Sequence, residues 1–176
     1  DQDHEYTVHA EVTDSSRRTI EGEGQIRVTR TQMFATLNAR RGFYTAGDHV
    51  EIEMATQNAN GQPLGSDGSI TVARMIWDAT IQPDGAWRDE PFLTEATKTD
   101  AQGRGFWKWQ SDREGFYAFI YDTKDAWGEK VQGRVNLNVA DPNSDGKQLK
   151  FSAVDLTPEE RTYRPGDTAR LLLSSE

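Results

Sequence analysis

The stretch Tyr6-Thr-Val-His-Ala-Glu-Val-Thr-Asp14 alternates apolar and polar residues at each step, with Tyr6, Val8, Ala10 and Val12 on one side. A period of two belongs to a strand with one buried face. Val50, Ile52 and Met54 repeat the pattern against His49, Glu51 and Glu53, and shorter β-rich runs cover 26–29, 34–37, 70–77, 106–109, 117–121, 135–139, 149–154 and 169–173. Asn60-Gly61, Asp67-Gly68, Asp84-Gly85 and Asp145-Gly146 fall between the runs and offer the positive φ that tight connections need. Thr157-Pro158-Glu159-Glu160 is the one helical hint, a capped single turn. Short strands, dense turns and almost no helix predict an all-β chain built as an antiparallel β-sandwich.

Working outward from Tyr6, the chain repeats itself twice without gaps. At an offset of 111 residues Tyr6, Asp14 and Gly22 fall on Tyr117, Asp125 and Gly133, and Ile20, Ile26 and Val28 fall on Val131, Leu137 and Val139. At an offset of 119 residues Tyr44, Gly47 and Asp48 fall on Tyr163, Gly166 and Asp167, while Leu37, Ile52 and Met54 fall on Leu156, Leu171 and Leu173. The difference is taken up by Asp141-Pro-Asn-Ser-Asp-Gly-Lys-Gln148, a polar stretch that reads as a linker. The expected organisation is therefore a tandem array out of frame. Residues 1–30 are the closing strands of one module, 32–140 a complete module with its sandwich over 34–139, 141–148 a linker, and 149–176 the opening strands of the next. Two-strand pieces are marginal alone, so both ends are expected to pack on the central module or on each other.

Composition removes several function classes. The 176 residues carry 20 Lys+Arg against 29 Asp+Glu, a net charge of −9. Such a chain repels phosphate backbones, and Arg17, Arg18, Arg27 and Arg30 are too scattered to act as a nucleic-acid patch. No apolar run approaches the roughly 20 residues of a membrane helix. The absence of cysteine excludes thiol nucleophiles, thiolate zinc sites, disulfides and an internal thioester from this chain. His4, His9 and His49 are too dispersed for a three-histidine metal site. The opening DQDHEYTVHA has neither the basic start nor the apolar core of a signal peptide and leaves the compartment open.

The remaining motifs favour structure over chemistry. In Tyr44-Thr-Ala-Gly-Asp48 and Tyr163-Arg-Pro-Gly-Asp167 the glycine suits a turn and the aspartate caps backbone N–H groups. Asp122 and Asp125 form a carboxylate pair of the kind glycosidases use, but Asp125 repeats Asp14, which points to a recurring hairpin turn. Asp141, Asn143 and Asp145, followed by Gly146, match the first half of an EF-hand loop. The twelfth position is Ser152 instead of glutamate, so calcium is only a weak candidate and a solvated linker is favoured. Among the five tryptophans, Trp107, Trp109 and Trp127 are the possible interface aromatics. Trp107 and Trp109 share one side of a strand, where exposed rings would instead suit sugar stacking in an adhesin or carbohydrate-binding module. No nucleophile elbow, Walker loop, zincin helix or dinucleotide fingerprint is present, so neither catalysis nor a cofactor is expected.

Tyr6-x-Val-x-Ala-x-Val-Thr-Asp14 with Gly22 and Gly24, Arg41-Gly-Phe-Tyr-x-x-Gly-Asp48, Asn60-Gly-x-Pro63, Thr99-Asp-Ala-x-Gly-Arg-Gly105, Glu114-Gly-x-Tyr117 and Tyr163-Arg-Pro-Gly-Asp167 together resemble the macroglobulin-like domains of the alpha-2-macroglobulin family, the bacterial type in particular. The resemblance spans nearly the whole chain and carries expectations of its own. It implies a fibronectin-type-III-like sandwich of about seven strands, one of a row of such domains in a protease-trapping protein that is periplasmic, cell-surface or secreted. In that family a target protease cuts a bait segment and is enclosed, and many members also link it through a Cys–Gln thioester. This chain has no cysteine and no bait-like stretch. The implied role is scaffold, with neighbouring macroglobulin-like domains as direct partners and target proteases engaged through the parent molecule.

Overall fold

The structure, a computed structural model, describes residues 4–81, 83–144 and 154–174. Twelve strands account for its regular structure: β1 (His4–Thr13), β2 (Thr19–Val28), β3 (Met33–Ala39), β4 (Phe43–Thr45), β5 (His49–Asn58), β6 (Ser66–Asp78), β7 (Ala86–Thr99), β8 (Arg104–Gln110), β9 (Gly115–Lys124), β10 (Lys130–Ala140), β11 (Asp155–Pro158) and β12 (Leu171–Ser174). Strands β3 to β10 form a two-sheet sandwich. One sheet runs β4-β10-β9-β6-β7 and the other β3-β5-β8, so the sandwich has one strand more than the resemblance implies. All pairs are antiparallel except β4 on β10, where Tyr44 lies opposite Val139 in a parallel register.

The alternation read from the sequence becomes the core. Val50, Ile52 and Met54 of β5 and Leu37 of β3 face Ile70 and Val72 of β6, Tyr117, Phe119 and Tyr121 of β9, and Leu137 and Val139 of β10. The buried hydroxyls have partners, as they must where water is excluded. The Tyr121 hydroxyl donates to the Ser66 carbonyl at 3.1 Å, and that of Tyr117 to the Arg113 carbonyl at 3.1 Å.

Three local readings are corrected. Asp67-Gly68 is no turn but lies within β6, where a Cβ at Gly68 would sit 2.4 Å from the Asp122 carbonyl oxygen and against the Tyr121 ring. That glycine admits a neighbouring backbone. Thr157-Pro158-Glu159-Glu160 is not helical: Thr157 and Pro158 end β11, and Glu160 bridges to Arg41. Strand β7 was not legible in the sequence, because it is an exposed edge strand interrupted by Pro91. The register shift between Val72 and Ala73 falls beside Pro91 and lets Phe92 swing over Trp109 and Tyr117 at 5.9 and 6.2 Å. The 149–154 run lies outside the described residues apart from Val154, and the strand there is β11, which begins at Asp155.

An Arg134–Asp89 fork ties β10 to β7 through bonds of 2.5 and 2.9 Å. The Arg134 hydrogen bonds hold the Asp89 carboxyl below its ordinary value of 3.8. A depressed carboxyl stabilises the fold above its unfolded value and ceases to do so as pH falls through the folded one. Asp89→Asn should therefore lower stability at neutral pH by about 0.5 kcal/mol for a pair this exposed, and leave a shallower loss as the pH falls below about 4. Thermal melts of both proteins across that range measure it; parallel curves would exclude the pair as a contributor.

Candidate functional site

Two strand pairs extend beyond the sandwich with their apolar faces open to solvent. In the head pair, β1 and β2 are joined by a turn in which Asp14 Oδ1 accepts the N–H groups of Ser16 and Arg18 at 2.8 and 2.9 Å. Its polar face carries a Glu5–Arg27 ion pair at 2.6 Å and His9 beside Glu23 at 3.5 Å. Its other face holds Tyr6, Val8, Val12, Ile20, Ile26 and Val28, all exposed. The expectation that this end packs down is not met: every residue of both strands is exposed.

The head pair duplicates β9–β10 in detail. Tyr6 opposite Ile26 corresponds to Tyr117 opposite Leu137, and Val12 opposite Ile20 to Thr123 opposite Val131, with the ten β1–β2 pairs all in the same register. The turns agree as well. Asp125 Oδ1 accepts the N–H groups of Trp127 and Glu129 at 2.9 Å each, and Arg17 and Gly128 share a positive φ of 63° and 87°. Only the surroundings differ: Tyr6 is 55% exposed and Tyr117 4%, Ile26 57% and Leu137 5%.

The tail pair duplicates β3–β5. Leu156 opposite Leu173 and Pro158 opposite Leu171 repeat Leu37 opposite Met54 and Ala39 opposite Ile52. The Tyr-x-x-Gly-Asp motifs adopt one structure. Asp48 Oδ2 accepts the Thr45 N–H at 3.0 Å and Asp167 Oδ2 that of Arg164 at 2.6 Å; Gly47 and Gly166 have φ of 94° and 96°; and the Tyr44 and Tyr163 hydroxyls accept the N–H of Arg41 and Glu160 at 3.3 and 3.0 Å. The ion pair Arg40–Glu51 recurs with its charges exchanged, as Glu159–Arg170. Here too the apolar face is open: Leu173 is 62% exposed where Met54 is 2%.

The head reaches the sandwich through the Arg27 Nη1–H, which donates to the Ala59 carbonyl at 3.4 Å, whereas the tail is seated on it through backbone. The Gly42 N–H donates to the Glu159 carbonyl at 2.8 Å, and a Cβ on Gly42 would fall 2.2 Å from the Pro158 oxygen. Arg41 lies over the Tyr44 ring at 5.7 Å and reaches Asp48, Glu159 and Glu160 at 3.4, 3.6 and 3.8 Å. A cleft of about 390 Å³ opens beside it, lined by Arg40, Tyr44, His49 and Glu51. Sequence reasoning missed this junction, although Arg41-Gly42 heads one of the quoted motifs; two residues of a loop carry no sign of which distant backbone they will meet.

The residues singled out by sequence are placed as follows. Trp107 and Trp109 turn inward from β8, their rings edge-on to Phe119 at 6.2 and 5.6 Å, and the Trp107 Nε1–H donates to Glu95 Oε2 at 2.9 Å. Trp127 stands exposed at the β9–β10 turn. Asp122 is held by Gln132 and Lys130 at 2.9 and 3.0 Å, and Asp125 Oδ1 is committed to its turn. Asp141 Oδ1 accepts the Asn143 N–H at 2.9 Å; Asp145 lies outside the described residues. Among the described residues no group of three or more His, Asp or Glu is placed to hold a metal ion, and no helix is long and apolar enough to cross a membrane.

No protein-family model matches the chain. It is 31% identical over 109 residues to an alpha-2-macroglobulin homolog of Deinococcus radiodurans, an alignment covering 60% of this chain and 10% of that protein. Native E. coli alpha-2-macroglobulin, seen by cryo-EM, aligns over 97% of the chain at 15% identity with a TM-score of 0.47, the chain covering 12% of it. A crystal structure of Salmonella alpha-2-macroglobulin reacted with methylamine aligns over the same share at 13% identity and 0.45. The chain thus spans about a tenth of the length of these relatives.

Proposed function

We propose that this segment of an alpha-2-macroglobulin-like protein is scaffold without catalytic activity, belonging to a larger molecule that traps peptidases after they cut a bait region elsewhere in it. The module spans 32–140, residues 1–30 close the module before it, 141–148 link onward, and 149–176 open the module after it. The observation that carries the reading is the shared strand register of both repeats, which makes each end a part-module whose apolar face needs the rest of a sandwich. Identity to the Deinococcus radiodurans homolog over 109 residues supports the family role, and the small share of that relative supports a larger parent. The parent would act outside the cytoplasm, in the periplasm, at the cell surface or in the medium.

In this role the chain sets angles. A clamped junction at Gly42 and Arg41 passes motion of one module to the next as rigid-body rotation, which a loose tether would not. The test uses the full-length parent and a broad-specificity peptidase. Trapped peptidase should still cleave a small peptide but no longer a large protein. Gly42→Ala, which forces the junction apart, should leave bait cleavage unchanged and reduce trapping by about tenfold. A parent that leaves digestion of the large substrate untouched refutes trapping; full trapping by Gly42→Ala refutes the rigid junction.

A further inference from the structure

The head pair touches the sandwich at a turn that carries reactive chemistry. Arg27 of β2 donates through Nη1 to the Ala59 carbonyl at 3.4 Å, and the next two residues are Asn60 and Gly61, the one Asn-Gly dipeptide among the 176 residues. We propose that Asn60 is a site of spontaneous deamidation, which sets a new carboxylate one residue from the carbonyl that Arg27 holds.

The chemistry needs only water. The Gly61 backbone nitrogen gives up its proton and attacks Asn60 Cγ. The new C–N bond closes a five-membered imide, the Cγ–Nδ2 bond breaks, and the amide nitrogen leaves with that proton as ammonia. Water then opens the imide at either carbonyl, giving aspartate on the original chain path or isoaspartate with the chain routed through the side chain. Glycine at the attacking position carries no Cβ to hinder the approach.

The fold selects this dipeptide over its rivals. Asn60 and Gly61 are exposed, a Cβ at Gly61 would meet nothing within 4 Å, and no described residue bonds the Asn60 side-chain amide. The ends of the turn are pinned by Asn58 Oδ1, which accepts the N–H groups of Asn60 and Gln62 at 2.9 Å each. The attacking nitrogen is held by a single bond, from the Gly61 N–H to the Asn58 carbonyl at 3.0 Å, at an exposed tip that opens locally without unfolding the sandwich. Asp67-Gly68 could form the same imide, but Gly68 lies inside β6 against the Asp122 backbone. In Asp84-Gly85 the Gly85 N–H donates to the Ile81 carbonyl at 2.6 Å and the glycine packs on the Trp77 ring. At Asn143 the attacking residue is Ser144, which has a Cβ.

The consequence is electrostatic. Arg27 pairs with Glu5 at 2.6 Å within the head and meets the sandwich at a neutral carbonyl. A carboxylate in the same turn makes that contact charge-assisted and fastens the head to the sandwich.

The test holds the 176-residue chain at mildly alkaline pH and body temperature, beside the same chain unfolded in urea, and maps tryptic peptides by mass spectrometry. Folded Asn60 should convert before any other asparagine and within about tenfold of the unfolded rate, with isoaspartate among the products by enzymatic methyl transfer. Asn60→Gln, which would need a larger ring, should stay an amide. Asn60→Asp, which supplies the charge without the altered chain, should shift the Arg27 side-chain NMR signals, and Asn60→Gln should leave them in place. The inference is overturned by a folded chain that keeps Asn60 intact while the unfolded one converts, by earlier conversion at another asparagine, or by Arg27 signals indifferent to Asn60→Asp.

Discussion

Gly133→Val is expected to destabilise the sandwich by about 3 kcal/mol, lowering the midpoint of thermal unfolding by about 10 °C, while Gly22→Val changes it by less than about 0.5 kcal/mol. Both glycines hold the same place in the same hairpin register, opposite Tyr121 and Ala10. A valine at Gly133 drives its Cβ into Leu37 and the Ala35 backbone, which belong to the facing sheet and cannot yield without opening the core. At Gly22 the corresponding space is solvent in the monomer. Denaturant unfolding of the two variants decides it. Equal losses at the two sites would mean that the head face is covered within one chain, against the geometry described here.

Phe119→Ala should cost about 3–5 kcal/mol. Phe119 is fully buried between the sheets and is the surface on which Trp107 and Trp109 rest edge-on. Its removal leaves a cavity and frees both indoles, so the emission of the native protein should also shift to the red. Val8 is its repeat counterpart and is exposed, so Val8→Ala should change stability by less than about 0.5 kcal/mol with no spectral shift. A Phe119→Ala loss under about 1 kcal/mol would show that the two sheets do not pack around this ring.

The fold was largely legible because its signals are local. Alternation at Tyr6–Val12 and Val50–Met54 marks which face of a strand is apolar, and Asn60-Gly61 and Asp84-Gly85 do form connections, with φ of 76° and 80° at the glycines. The failures have a common cause. Gly68 and Asp67 carry turn chemistry, but a long-range approach by Asp122 recruited the glycine into a strand. Strand β7 has little apolar alternation because it lies at an edge, and Thr157-Pro158 became strand by pairing with Leu171 and Leu172.

By itself the sequence determined that the chain is β-structured, which side of each strand is greasy, and that two blueprints are each written twice, down to the Asp14 and Asp125 turns. The tertiary structure alone decided which copies are covered. Tyr117 and Tyr6 stand in the same local pattern, and one is core while the other faces water. Burial depends on a second sheet arriving from far along the chain, and among the described residues no such sheet covers the apolar face of the head or tail pair.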